Sequence, residues 1–360
     1  MSISVDSSVF SKKIDRWYEV IKAAQEEESI KLEKELRESF ANIEEDLYTY
    51  NYYRLVKFRY HLFLQDLDAA EETLQDIEPF NETNELLQYY YYHFKGVYYY
   101  LQRRYQDSIK SLKKAQPLII FCDHKNEIGE FHYKLAASYY ELDQNALSIK
   151  HLDSATRIFQ NNHIYKRSSD CELLHAFNLQ DLKEYEEAEL HYHNALRYCD
   201  HFNDSDYKHT VLFNLGIFYF SQKYNEEAER YFIKTRDYFL KERKFKYAIK
   251  ASYQLAKLYY VLDDLETAKQ YQNDGILLTK ENGDKFYEHK LNTLYVYSKA
   301  TLAENESKIL EGISYFEENK LWKDVVELGE HLIKYFHGIN NFKQSSLISQ
   351  RIMYARNNLN

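Results

Sequence analysis

The chain has 360 residues, with 47 Lys and Arg against 57 Asp and Glu, and a formal net charge of −10 at pH 7. That balance argues against nucleic acid as a direct ligand, because phosphate binding calls for clustered Lys and Arg. Only eight Gly and two Pro are present, so few helix interiors can be broken, and three scattered cysteines (Cys122, Cys171 and Cys199) are too few for a disulfide framework and suit a reducing cytosol.

The first ten residues, MSISVDSSVF, show no basic segment followed by an apolar run, and no 18-residue apolar stretch follows. A soluble, cytoplasmic chain is expected. Three helical stretches can be read within residues 1–75. The first, Val9 to Gln25, carries Ile14, Trp17, Tyr18 and Ile21. The second, Ser29 to Phe40, carries Ile30, Leu32, Leu36 and Phe40. The third, Leu47 to Leu67, is rich in Tyr, Leu and Phe at helical spacing. Such amphipathic segments predict a three-helix bundle. Ten basic against sixteen acidic residues over 1–75, with no Gly before Gly96, do not fit a DNA-binding helix-turn-helix. Glu26 to Glu28 and Glu44, Glu45 and Asp46 read as solvated helix ends. The polar stretch 76–85, DIEPFNETNE, holds Pro79 and reads as a linker.

From residue 86 to 360 the chain repeats. Gly96, Ala136, Ala176, Gly216 and Ala256 are 40 residues apart. Twelve residues after each stands Ser108, Ser148, Ala188, Ala228 and Ala268, and seven further on Ala115, Ala155, Ala195, Thr235 and Gly275. Small residues at fixed intervals among large ones mark paired helices that approach closely and stack. The alternation resembles the tetratricopeptide repeat. Phe286 to Ala300 and Glu304 to Phe316 read as a further pair, and Lys323 to Phe336 with Asn341 to Ala355 as a last, atypical one.

In a stack of helix pairs the first helices line the inner face. The inner set then includes Tyr133, Lys134 and Tyr140; Phe177, Gln180 and Asp181; Phe213, Asn214 and Phe220; and Tyr253, Gln254, Lys257 and Tyr260. Aromatic walls with isolated amides and single charges suit an extended peptide. A side-chain amide donates to a peptide carbonyl and accepts from a peptide N–H at once. Asn214 and Gln254 share one repeat position and could clamp successive parts of a backbone, or they could simply bond neighbouring helices. His191, His193, Cys199 and His201 are the densest set of metal-ligand types, but His191 and His193 are two apart on a helix and point to different faces. No nucleophile elbow, P-loop or dinucleotide fingerprint occurs, so neither a cofactor nor a metal is expected. Tyr89 to Tyr92 read as packing rather than a base-stacking platform.

In Trp17-Tyr18, Tyr52-Tyr53-Arg54-Leu55-Val56-Lys57-Phe58-Arg59, Phe94-Lys95-Gly96, Phe131-His132-Tyr133-Lys134, Asn178-Leu179-Gln180-Asp181 and Phe213-Asn214-Leu215-Gly216, the chain resembles the Rap family of response-regulator aspartate phosphatases and peptide receptors. The resemblance implies an all-α fold, a three-helix bundle followed by a right-handed tetratricopeptide superhelix, and a receptor for a short, re-imported signalling peptide. It implies that Asn214 anchors the peptide backbone and that the acidic Asp181 faces the peptide, favouring a Lys or Arg there. Asn178, Gln254, Lys257, Tyr140, Phe177, Phe213 and Tyr253 complete the expected peptide-binding set. Phosphatase members carry a water-orienting Gln near the start of the third helix. Aligning through Glu44-Glu45 and Tyr52-Tyr53 puts Leu47 there, which can neither donate to nor accept from water. Gln65 and Gln75 lie too far along to replace it. The expectation is therefore a non-enzymatic, peptide-gated regulator that holds a transcription regulator, either the repressor of a mobile or conjugative element or a response regulator. An aspartyl-phosphate phosphatase is the alternative. Exposed helices in the last repeats could support a homodimer.

Overall fold

A computed structural model describes residues 7–40, 47–77 and 84–358. Among them the chain is helical throughout, with no strand. It divides into two compact units, Met1–Phe202 and Asn203–Asn360. The first unit holds α1 (Ser7–Lys22), α2 (Glu26–Phe40), α3 (Leu47–Phe63), α4 (Leu67–Asp76), α5 (Glu85–Leu101) and α6 (Tyr105–Ala115). A 3-10 segment (Gln116–Phe121) follows, then α7 (Lys125–Tyr140), α8 (Asn145–Asn161), α9 (Tyr165–Asp181) and α10 (Tyr185–Cys199). The second unit holds α11 (Ser205–Ser221), α12 (Asn225–Lys241), α13 (Phe245–Val261), α14 (Leu265–Asn282) and α15 (Lys285–Asn292). It ends with a 3-10 segment (Leu294–Tyr297), α16 (Lys299–Glu318), α17 (Trp322–Gly338) and α18 (Phe342–Asn357).

The helices end in a recurrent turn. Arg103, one residue beyond the α5 cap, takes φ 60°. Its amide donates to the Tyr100 carbonyl at 2.9 Å, and the Arg104 amide reaches back to the Tyr99 carbonyl at 2.8 Å. This paired arrangement satisfies carbonyls that a helix end would otherwise leave bare. Left-handed residues return at Asp143, His163, Lys183, Lys223, Arg243, Asp263 and Gly283. From Arg103 on they fall every 20 residues except between α6 and α7, where the 3-10 segment intervenes, and between α10 and α11, where residues 200–204 include none. Only the second lapse coincides with the boundary between the two units.

The small residues occupy the close approaches expected of them. A Cβ on Gly96 would lie 2.6 Å from Leu112 Cγ, and one on Gly216 would lie 2.8 Å from Phe232 Cε1. Each glycine thus takes the large side chain that stands 16 residues on in its partner helix. Ser108 Oγ donates to the Gly96 carbonyl at 2.8 Å and is 2.9 Å from Ser138 Oγ, tying one pair to the next.

The front helices share a core with the first repeats. Phe10, Ile14 and Trp17 are fully buried with Tyr53 and Leu55, and one apolar cluster continues to Leu135 and Tyr139. The Glu127 carboxylate of α7 is only 2% exposed. It accepts from Tyr18 Oη at 2.7 Å and lies 3.6 Å from Lys22 Nζ, both on α1.

Two helix boundaries differ from the sequence reading. The third stretch stops at Phe63, because Gln65 takes φ 57° and Asp66 caps a fourth helix through the Ala69 amide. The stretch Phe286 to Ala300 is not one helix: α15 ends at Asn292 and a 3-10 turn intervenes. There Gly312 of α16 faces Thr293, so closely that a Cβ on it would overlap Thr293 Cγ2. Most of the expected linker, and Glu44, Glu45 and Asp46, lie outside the described residues.

Candidate functional site

In the second unit, α11 presents Phe213 and Asn214 to a recess of about 110 Å³. Thr210, Thr235, Phe239, Tyr247 and Lys250 complete its lining. Asp204 starts α11 by accepting from the Tyr207 amide at 2.9 Å. That cap sets the rotation that buries Val211 and Leu215 and leaves Asn214 partly open. Among the described residues the Asn214 amide makes no hydrogen bond, and Thr235 Oγ1 is buried without a partner. A buried hydroxyl left unmatched costs free energy unless something supplies a partner. Burial, with Lys246 adding to it, lowers the Lys250 ammonium's affinity for its proton. An amide, a hydroxyl and a cation in one aromatic recess can hold a peptide group and a nearby acceptor.

Gln254, one repeat on from Asn214, is half-buried and also makes no side-chain hydrogen bond among the described residues. The expected alternative, that both amides bond neighbouring helices, does not describe the geometry. The structure uses Lys257 and Tyr253 differently from the sequence expectation. Lys257 Nζ pairs with Glu327 of α17 at 2.8 Å and stands over the Tyr297 ring. Tyr297 Oη donates to the same carboxylate at 2.5 Å. Burial alone would raise the Glu327 carboxyl, but Lys257, Tyr297 and Lys290 together bring it down to about 2. Tyr253 is 6% exposed and packs edge-on against Tyr287.

In the first unit three expected residues come together. Tyr140 and Phe177 have ring centroids 6.2 Å apart, and the Tyr140 hydroxyl hydrogen-bonds the exposed Asp181. Burial, then the Asp181 charge, raises the Tyr140 phenol, so it stays a donor. Gln180 accepts from Tyr192 Oη at 3.1 Å. Asn178 is placed elsewhere than expected. It is wholly buried, and its Nδ2 donates to Ser148 Oγ at 3.0 Å and to the Leu174 carbonyl at 2.7 Å. That is the Ser108–Ser138 tie one repeat later. The 40-residue register of Ser138 with Asn178 was the available signal.

The sequence reading missed Thr235 and Lys250 as recess residues. Thr235 stands where earlier repeats carry Ala115, Ala155 and Ala195, so a hydroxyl in place of a methyl was visible as a departure. A wider cleft of about 520 Å³ is lined by Glu317, Glu318, Trp322, Gln350, Arg351 and Tyr354. Arg351 spans it in a two-point pair with Glu317, and none of the expected residues lies there. His191 Nδ1 lies 2.6 Å from Glu172 and Cys199 is buried, so these two are engaged within the helix packing. Leu47 opens α3 and is 72% exposed.

Residues 4–65 match the family model described as response regulator aspartate phosphatase H, N terminal. The chain is 27% identical over 366 residues to the regulatory protein RapF of Bacillus subtilis (strain 168), covering 98% of this chain and 95% of that protein. A crystal structure of a Rap protein complexed with Competence and Sporulation Factor superposes with a TM-score of 0.77 at 24% identity, covering 98% and 99% of the two chains. The Rap conjugation gene regulator of the plasmid pLS20, in complex with the Phr* peptide, superposes at 0.59 with 21% identity and 98% and 96% coverage.

Proposed function

This chain belongs to the Rap family, and from that premise we propose that it is a cytoplasmic, non-enzymatic regulator switched by a short peptide. The observation that carries the proposal is the recess holding the Asn214 amide and the Thr235 hydroxyl, both without a partner among the described residues. An extended peptide supplies the missing donors and acceptors at once. Asn214 clamps a peptide group, with Phe213 and Tyr247 as walls and Gln254 as the next amide. In the first unit, Asp181 with Tyr140 and Phe177 offers an acceptor to a basic side chain against an aromatic surface. Solved relatives hold a signalling peptide, one of them a conjugation gene regulator, and this supports a peptide ligand here.

The partner held in the absence of peptide is a transcription regulator, in our reading the repressor of a mobile element, which this chain would oppose. Leu47 supports a binding role over catalysis, because it offers no group that could orient water. The family model's description, an aspartate phosphatase, keeps hydrolysis of a response regulator's aspartyl phosphate as the second reading.

The test is capture of peptides from spent growth medium on the immobilised chain, read by mass spectrometry. Wild type retains a defined short peptide and Asn214→Ala loses it, at an unchanged helical content. Equal retention by the variant would show that the recess is not the site.

A further inference from the structure

One position of the 40-residue register changes its charge along the chain. It carries Glu130 and Asp170, then Thr210, then Lys250 and Lys290. In the first unit Arg167 of α9 takes both carboxylates: Glu130 in two contacts of 2.6 Å and Asp170 at 2.6 Å. In the second unit Lys290 has a carboxylate of its own, Asp324 of α17, 2.7 Å from its Nζ. Lys250 has none. Among the described residues it makes no ion pair or hydrogen bond, and its Nζ stands 5.7 Å from the centre of the Tyr247 ring.

Half-buried Lys250 lines the recess of about 110 Å³ that also holds Asn214 and Thr235, and it is the one charged residue in that lining. Three helices meet there: Asn214 comes from α11, Thr235 from α12 and Lys250 from α13. Thr235 is 1% exposed, and its Oγ1 has no partner among the described residues. The Phe239 and Tyr247 rings of the lining stack with centroids 4.8 Å apart, an apolar wall that offers the ammonium no acceptor. Asp284, whose charge is felt at Lys250, is engaged in capping α15, where it accepts from the Tyr287 amide at 3.0 Å. Burial, then Lys246, weakens the hold of Lys250 on its proton, with Asp284 opposing. That is the condition of a cation short of negative charge. A half-buried ammonium beside a buried, unmatched hydroxyl leaves a place for an outside anion.

We propose that Lys250 and Thr235 form a carboxylate subsite of this recess, taking a carboxylate of the gating peptide, either its C-terminal group or the side chain of an Asp or Glu. The assignment rests on the peptide-receptor reading above and deepens it: Asn214 holds a peptide group, and Lys250 with Thr235 reads the acid next to it. The ammonium gives the carboxylate a charge-assisted hydrogen bond, and the hydroxyl can donate to it as well. A neutral carbonyl could accept one of these bonds but would leave the charge of Lys250 unbalanced. The recess, about 110 Å³, has room on the order of four waters, which suits a small anion. One cation balances one negative charge, so a singly charged carboxylate fits better than a phosphate dianion. Lys290, closed on Asp324 at the same register position, shows this fold making that pairing within its own chain.

The experiment uses three random pentapeptide libraries on the full chain, with bound peptides counted by mass spectrometry. One has a free C-terminus and no Asp or Glu; a second is the same library C-terminally amidated; a third is amidated but contains Asp and Glu. The proposal expects at least tenfold enrichment of the first or the third over the second. Whichever is enriched identifies the source of the carboxylate. Lys250→Met should erase the preference at unchanged helical content, and Lys250→Arg should keep most of it. Lys250→Glu should turn it round, towards amidated peptides with Lys or Arg. A carboxylate preference that survives Lys250→Met overturns the subsite alone. So does binding that shows no such preference yet is still lost in Asn214→Ala. No binding of any library overturns the receptor reading as well. Displacement of bound peptide by 10 mM inorganic phosphate but not by 10 mM acetate would overturn the choice of a carboxylate.

Discussion

Thr235 and Glu327 show how far single side chains carry the account. Thr235→Val keeps the shape and removes the unmatched hydroxyl. It should raise stability by about 1 kcal/mol in urea melts while weakening peptide capture, a pair of opposite effects that a purely structural threonine would not give. Glu327 works the other way. Its folded carboxyl sits at about 2, below the unfolded value, so its contribution is present above pH ~4.5 and is lost as pH falls through the folded value. Because the Glu327 side chain is 42% exposed, screening keeps that contribution under about 1 kcal/mol. Glu327→Gln should therefore narrow the stability gap between pH 5 and pH 3. At this scale the sequence was informative where a repeat position broke its own rule. Asn214 and Gln254 stood out as amides in an aromatic row, and the side chains of both are unbonded among the described residues. The sequence reading puts Asn178 and Lys257 in the peptide-binding set. Their actual partners, Ser148 30 residues back and Glu327 70 residues on, are set by packing that no local pattern reveals.

Between helices, close approach and turn geometry decide. Gly216→Val would drive a branched side chain into the Phe232 ring and should cost about 2 kcal/mol or more. Lys223, held at φ 65°, pays for a left-handed backbone, so Lys223→Gly should stabilise by about 0.5–1 kcal/mol. Chemical denaturation of the two variants checks both signs. Glu127 couples α1 to α7. Burial, opposed by Lys22 and Tyr18, raises its carboxyl, so the folded chain holds that proton more tightly than the unfolded chain. Stability from this group grows as pH falls through the raised value, and Glu127→Gln should remove that part of the profile in melts at pH 7 and 5. The 40-residue spacing made the helix pairs readable from the small residues alone. The break at Thr293 was not readable, because no helix-breaking residue marks it and the close approach of Gly312 to Thr293 comes from packing far along the chain.

For the molecule as a whole, the family, the all-α fold and the repeat architecture could be read from order and spacing. What the chain holds could not, since partner choice depends on surface chemistry outside the repeat register. The account asks peptide occupancy to change which state the chain adopts, and a peptide can do so only by binding one state more tightly than the other. It also predicts that the chain, given a response regulator carrying radiolabelled aspartyl phosphate, releases no phosphate faster than the regulator does alone. The most direct measurement immobilises the full chain, loads it with native cytosol, and adds the peptide fraction of spent medium. The account predicts that a transcription regulator is retained by wild type and by Asn214→Ala alike, and that peptide elutes it from wild type only. Elution from both, or retention that ignores the peptide in wild type, would contradict it.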